Sequence, residues 1–440
     1  MQVRAATRRQ VALLGGCTSW GDCAVTLRYL AIGGGPPDGP AIQAYERAFA
    51  ETIGVRHAHS FSAARVGLYA ILRALGVGPQ DDVLLQVPTH VVVANAIRYV
   101  GARPVYVDCR PDDYNIDLAD ADRLVGSRAK ALILQHTFGI AADIDAALDF
   151  CGRHRLQLLE DCVHALGATY RGKPVGSFGR AAFFSTEETK TISTTMGGVV
   201  VTDDDDLASA IHELQQQYPF PSRSSVRRLL IKLAVYHVLT TPSIHRYPRA
   251  LFEAVGRRNP LPGPTTPDER RGERPSRYEE RLANSQAALG LRQLKRLPEN
   301  VRHRRVVAAA YSSRLARFGF AVPKPADGAD PAFVRYPVWV DDRQAALRAV
   351  ARHAVAGTWF TSVLEESESP SMIGYEHGAC PVAEAAASHL VNLPTHPRVQ
   401  LSDVEAITNA LRRLAEDSRD RTAGAMRLAL PEDGSRGGDD

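Results

Sequence analysis

The sequence lacks any segment long and apolar enough to span a bilayer. It also has no uninterrupted apolar run of signal length before Gly15-Gly16, although arginines stand near its start. A membrane-spanning or exported protein is therefore not expected, and the reading is cytoplasmic. Cysteine is scarce too. The six cysteines, at positions 17, 23, 109, 151, 162 and 380, have neither metal-ligand spacing nor the density of a disulfide scaffold, so they read as reduced thiols and no metal site is expected. An excess of either charge is missing as well: a net charge of +4 is too small to argue for a nucleic-acid partner. No internal repeat is evident.

What is present is length and apolar content. At 440 residues and 45% hydrophobic, the chain can bury a large core, and its length suggests two or three domains. Apolar runs of strand length alternate with stretches of helical period, which argues for a doubly wound sheet rather than a barrel of antiparallel hairpins.

One stretch, residues 156–203, carries the chemistry. An apolar run closing in Glu160-Asp161 reads as a parallel strand whose carboxyl end delivers an acid into the crevice where open α/β sheets bind ligands. A second run, Ala181-Ala182-Phe183-Phe184, ends in Ser185. Lys190 follows on a short connection before Gly197-Gly198 and the run Val199-Val200-Val201. An acid that keeps a pyridine nitrogen protonated, together with a lysine that forms a Schiff base, is what pyridoxal phosphate chemistry needs. Burial favours the reactive neutral amine. The competing reading of such a pair is a strand-end cap and a solvated charge.

The strings decide between the two readings. Glu160-Asp161-Cys162-Val163-His164-Ala165, Gly172-Lys173-Pro174-Val175-Gly176-Ser177-Phe178-Gly179, and Phe184-Ser185 with Lys190 five places after the serine resemble the DegT/DnrJ/EryC1/StrS sugar aminotransferases. These are fold-type I pyridoxal phosphate enzymes, and the resemblance runs over about 39–414. It implies an α/β fold, with a three-layer αβα large domain on a mostly parallel sheet and a smaller α+β C-terminal domain. It also implies roles for particular residues. Lys190 matches the lysine that forms the Schiff base with pyridoxal 5′-phosphate, and Asp161 the acid paired with the ring nitrogen. His164 matches the neighbour of the ring hydroxyl, against a reading as a core histidine. Ser185 matches a phosphate ligand, against a reading as a turn serine.

The chain departs from the family's pattern at three places. Ala64-Arg65 stands where a Gly-Thr pair usually opens a helix, at a natural phosphate cradle. Arg65 there either supplies a charge-assisted contact or points to solvent. His90 stands where an aromatic side chain usually stacks on the cofactor ring, and imidazole can stack with less area. Glu279 replaces an asparagine that contacts the partner subunit's phosphate group, so Arg281, Arg277 or Arg65 compensates, or the dimer contact is built differently.

The expected organisation is a flexible N-terminal arm over 1–38, short on periodicity and with a Gly-Pro end, and a large cofactor-binding domain over 39–214. An insertion over 215–277, an interdomain helix over 278–299 and a small domain over 300–417 follow, then a tail over 418–440 that lacks an apolar face and reads as disordered. Within the large domain, helices are expected over 40–53, stopped by Gly54, and over 60–76, with others begun by Asp117 and Asp143. The insertion contains a basic amphipathic run, 225–239, with Val226, Leu229, Leu230 and Leu233 on one face. That pattern suits a peripheral membrane contact or a buried dimer contact. Residues 260–277, rich in Pro, Gly and Arg, read as a mobile linker.

The activity implied by the resemblance is amino transfer from glutamate or glutamine to a keto group of a nucleotide-linked sugar, in a homodimer with its active site at the interface. Two other readings stand beside it. One is a different reaction or a non-sugar acceptor on the same cofactor, the other a regulatory or scaffold protein without catalysis.

Overall fold

The computed structural model describes residues 9–13, 16–249 and 263–429. Its centre is a seven-stranded sheet. In spatial order the strands are His57–Phe61, Gly198–Thr202, Ala181–Ser185, Gln157–Asp161, Ala129–Gln135, Asp82–Gln86 and Arg103–Val107. Gly198–Thr202 runs antiparallel to both of its neighbours, and every other pairing is parallel. The sheet is mostly parallel, as expected.

Successive side chains of a strand point to opposite faces, and here they enter two separate cores. Leu84, Leu132, Leu134, Leu158, Phe184 and Val201 face one side and pack with Ile42, Tyr45 and Phe49 of helix Pro40–Ile53 and with Phe150 of Ile144–His154. Val83, Leu85, Ile133, Leu159, Phe183 and Val200 face the other and meet helices Ala64–Ala74, Val91–Tyr99 and Asp205–Gln217. This makes three layers. Gly54, at a φ of 81°, ends Pro40–Ile53 in the left-handed region that favours glycine. Asp117 accepts from Ala119 N at 2.9 Å, and Asp143 from Ala146 N at 3.1 Å, so both cap the helices they were expected to begin.

A third core gathers around the antiparallel pair Tyr336–Trp339 and Leu390–Leu393, with helices Leu297–Arg317, Arg343–Val350 and Leu401–Ala429 around it. It forms the smaller α+β unit.

Five local expectations need correction. The arm contains a helix, Trp20–Ala31, closed by a capping box between Ser19 and Asp22. It was not legible because its inner face is partly polar. Asp22, fully buried, lies 3.2 Å from Arg292 and 2.5 Å from Arg296, so a charged group interrupts the apolar side of the helix. The helix expected over 60–76 begins only at Ala64, because Ser60 and Phe61 still belong to the edge strand, paired with Val199 and Gly198. The interdomain element is two helices, Asn284–Leu294 and Leu297–Arg317.

The expected linker is ordered where it is described. Pro267–Arg270 is a helical turn capped by Thr266, and Glu269 beneath it is buried; residues 260–262 lie outside the described part. Finally, the closing helix continues through the expected tail as far as Ala429, and 430–440 lie outside the described residues.

The basic amphipathic run is the helix Arg223–Leu239. Its buried side chains Val226, Leu230 and Leu233 pack against Cys23, Val25, Tyr29 and Leu30 of the unforeseen N-terminal helix and against Ala283 and Leu289. That face is filled from within the chain and is not free to meet a membrane.

Candidate active site

Gln157–Asp161 and Ala181–Ser185 are paired in parallel, with Asp161 opposite Phe183, so their carboxyl ends open on the same side of the sheet. At the first end two adjacent acids take opposite directions. Glu160 turns into the protein, where it accepts from the backbone N–H groups of Gly176, Phe178 and Gly179 at 2.7–2.8 Å and lies 3.2 Å from His136 Nε2. Burial raises the pKa of this carboxyl, but His136 and the backbone donors outweigh burial and hold it below its ordinary value. The glycine-rich string 172–179 thus serves as a clasp for Glu160.

Asp161 turns the other way, into a cavity. Its Oδ1 accepts from Val163 N at 3.0 Å, and its Oδ2 is buried without a partner. Burial lifts its pKa to about 6, against the pull of the Val163 N–H and Lys190.

Lys190 lies on the turn after the second strand and is buried. Burial lowers its amine to about pH 8, with Glu187 opposing that shift and Arg335 adding to it. Its Nζ sits 4.4 Å from the centroid of the Trp359 ring. Three amides fasten the turn. Gln286 donates to the carbonyls of Thr194 and Met196, Gln293 both accepts from and donates to the backbone of Ser193, and Asn300 donates to the Thr191 carbonyl at 2.6 Å. The three are seven residues apart, two helical turns, so they share one side of the helices that run beneath the turn.

His164 is buried, its ring 4.7 Å from that of Trp359, and its Nδ1 has no partner. Burial, with Lys190 nearby, keeps it neutral by pushing its pKa well below the ordinary value. Ser185 ends its strand with Oγ 3.3 Å from Glu187 N. His90 caps the helix Val91–Tyr99 through Nδ1, 3.4 Å from Val92 N, and burial lowers its pKa to about 3.

No side chain caps the helix Ala64–Ala74, and its first residues, Ala64 and Arg65, line the cavity. It reaches this place because residue 198 is glycine: a Cβ there would stand 2.3 Å from Ala64 N. Arg65 is already engaged. Its Nε lies 2.6 Å from Glu269 and its Nη2 donates to the Pro264 carbonyl at 2.8 Å.

One cavity therefore brings together Ala64, Arg65, His90, Asp161, His164, Ser185 and Lys190, seven residues spread over 127 positions of sequence. Neither Arg277 nor Arg281 lines it. Arg277 pairs with Glu280 at 3.0 Å, Arg281 stacks on Phe220, and Glu279 pairs with Arg274. Sequence reasoning missed Glu187 and Glu188, although they stand between Ser185 and Lys190. It also missed Arg335 and Trp359, which the small domain delivers and which no local pattern marks.

The chain resembles known proteins over most of its length. Residues 28–223 and 258–412 match the DegT/DnrJ/EryC1/StrS aminotransferase family. The chain is 32% identical over 378 residues to the GDP-perosamine synthase of Caulobacter vibrioides, covering 85% of this chain and 90% of the relative. It is 28% identical over 387 residues to the spore coat polysaccharide biosynthesis protein SpsC of Bacillus subtilis, covering 86% and 90%. Among solved structures, S. venezuelae DesV in complex with a ketimine intermediate superposes with a TM-score of 0.71 at 26% identity, covering 90% of this chain and 95% of that one. The chain belongs to the DegT/DnrJ/EryC1/StrS aminotransferase family, the fold-type I sugar aminotransferases that depend on pyridoxal phosphate.

Proposed function

We propose that the protein moves an amino group from glutamate or glutamine to a keto group of a nucleotide-linked sugar, with Lys190 holding pyridoxal phosphate covalently. The observation that carries this reading is a pair of groups in one cavity: a buried lysine whose amine is depressed to about pH 8, and a buried carboxylate oxygen, Asp161 Oδ2, with no partner among the described residues. The names of the relatives, a GDP-perosamine synthase and a polysaccharide biosynthesis protein, support the sugar acceptor.

The residues present suit the cofactor. Asp161 Oδ2 and His164 Nδ1 are buried polar atoms without partners, which a ring nitrogen and a ring hydroxyl would satisfy. Ser185 and the uncapped N–H groups at Ala64 and Arg65 offer donors to a phosphate. His90 lines the same cavity and, being neutral, can lie against a ring without adding charge. Pyridoxal phosphate, when bound, supplies the aromatic electron sink that stabilises negative charge at the donor's α-carbon.

The chain supplies the rest. Asp161, at about pH 6, is ionised at neutral pH and can hold a proton on a nitrogen opposite its free oxygen. Lys190, at about pH 8, is neutral in roughly one molecule in ten at pH 7, a fraction sufficient for it to act as nucleophile and then as the base that takes the α-proton. The amides of Gln286, Gln293 and Asn300 hold the turn so that Nζ stays over the cavity.

Six free, buried thiols support a reducing compartment, hence the cytoplasm. Family resemblance supports a homodimer with the site at the interface, and light scattering of the purified protein tests that. The decisive experiment is incubation with pyridoxal phosphate and glutamate. Release of 2-oxoglutarate, and borohydride fixation of the cofactor on the Lys190 peptide by mass spectrometry, are expected. Lys190→Ala should abolish both. Failure of the unaltered protein on both readouts overturns the reading, and a panel of nucleotide ketosugars then identifies the acceptor.

A further inference from the structure

A second cavity, of about 470 Å³, shares no lining residue with the active cavity. The active-site turn stands between the two: Lys190 lines the first, and Ile192, two residues on, lines the second. Gln293 and Asn300, two of the amides that fasten the turn, line the second as well. Helix Leu297–Arg317 supplies one side of it, and Arg398 reaches it from the small domain.

Basic side chains dominate this lining. Arg296, Arg302, His303 and Arg398 stand there against one acid, Glu299. Among the described residues neither Arg302 nor Glu299 makes an ion pair or a side-chain hydrogen bond. Arg398 donates to the carbonyl of His237 and the hydroxyl of Thr240, both at 3.1 Å, and meets no carboxylate among the described residues. Beside His303, Arg304 is 2% exposed and spends its donors on Asn300, Val334 and Thr395, likewise without an acid. Arg296 does have one, Asp22, but that carboxylate also serves Arg292. Positive charge is therefore in surplus, and burying it unpaired is unfavourable. Burial accordingly lowers the pKa of Arg304 to about 10 and lowers that of Arg398 too.

Two nitrogens at this cavity, Arg296 Nε and His303 Nε2, are buried with no hydrogen-bond partner. An orphaned buried nitrogen asks for a partner, and the surplus of cations asks for negative charge. A phosphate answers both. It brings more than one charge, and the proton it partly keeps at neutral pH lets it donate as well as accept, so it meets His303 Nε2 in either tautomer. A carboxylate brings one charge and only accepts. The volume is in the range of pockets for small molecules and exceeds what a bare phosphate fills, leaving room for a group that carries it.

We propose that this second cavity is a binding site for a small phosphate-bearing anion, held by Arg296, Arg302 and His303. Its lining lies outside the active cavity, so the proposal does not depend on the aminotransfer reading.

The test is calorimetry on the full chain loaded with pyridoxal phosphate, titrated with inorganic phosphate and with pyrophosphate, and with acetate as a carboxylate control. Saturable binding of at least one phosphate probe is expected. Arg302→Glu and Val306→Glu each put an acid at the cavity from an exposed position of the same helix, Val306 being 52% exposed. Each should weaken phosphate binding by about 10- to 100-fold. Ser185→Ala, in the active cavity, should leave it within about twofold. Pyrophosphate binding tighter than phosphate marks the natural ligand as one with linked phosphates, and equal affinity marks a single phosphate.

Absence of saturable binding up to about 10 mM of either probe overturns the proposal. Affinity unchanged in both folded glutamate variants does the same, as does acetate binding as tightly as phosphate. A loss that falls on Ser185→Ala and spares Arg302→Glu also overturns it, since the anion would then sit in the active cavity.

Discussion

Lys232 Nζ lies 2.7 Å from Glu188 Oε1, and the two side chains are 13% and 10% exposed. This ion pair joins helix Arg223–Leu239, the part of the chain longest relative to the family's pattern, to the turn that carries Lys190. Thr195 adds a second tie, donating from its hydroxyl to the Leu229 carbonyl at 3.2 Å. The insertion is thus a brace on the back of the active-site turn.

Lys232→Met should therefore act at a distance. Glu188, raised to about pH 8 by burial and by Glu187 against the pull of Lys232, would lose that pull and stay protonated at neutral pH. A loss of about 1–3 kcal/mol in denaturant unfolding is expected, less than for a buried pair that cannot protonate. Adding Glu188→Gln to Lys232→Met should recover at least half of the loss. Equal stability of Lys232→Met and the unaltered chain would show that the brace does nothing.

Lys190 predicts a pH dependence in the cofactor-free protein. Its folded pKa of about 8 is below the ordinary 10.5, so between those values the unfolded chain binds more protons than the folded one, and stability rises with pH across that window. Below pH 8 the cost of burying the charged amine is fully present. The gain from pH 8 to 10.5 is on the order of 3 kcal/mol. Lys190→Met should be the more stable protein near pH 7 and should lack this rise, which unfolding curves at several pH values will show.

Asp161→Asn keeps the shape of the side chain and removes the charge opposite a ring nitrogen. A fall in turnover of about 100-fold or more is expected, with the cofactor still attached at Lys190 and the fold unchanged by circular dichroism. Turnover within about threefold of the unaltered enzyme would exclude the role assigned to Asp161.

Gln293→Leu removes an amide that serves both the N–H and the carbonyl of Ser193. Two buried backbone groups would be left unpaired, at about 1–3 kcal/mol each before relaxation. Faster loss of pyridoxal phosphate during dialysis and a lower melting temperature are expected. Gln293→Glu can satisfy only the N–H and should fall between the two. Unchanged retention of the cofactor in Gln293→Leu would show that the hold of Gln293 on Ser193 does not serve the site.

The positions of Asp161 and Lys190 were readable because one ends a strand and the other lies on the turn just after one, where local sequence settles position. The run ending in Asp161 and the run ending in Ser185 are continuous and apolar, as strands buried on both faces must be, and parallel pairing then brings their ends together. Ala64-Arg65 and His90 were placed in the same way, from helix starts that follow strands. Arg335 and Trp359 were not readable, since neither lies in a periodic pattern that points at residue 190. The N-terminal helix escaped notice because the buried Asp22, paired with Arg292 and Arg296, interrupts its apolar side.

From sequence alone came the three-layer sheet, the acid, the lysine and the family, all of which depend on short-range patterns of apolar period and on strings at strand ends. The tertiary structure alone decided which cations meet which acids: Arg65 with Glu269, Lys232 with Glu188, and Arg335 with none among the described residues. The reason is physical. An ion pair is set by the distance between two side-chain tips, and that distance exists only once elements remote in sequence have packed.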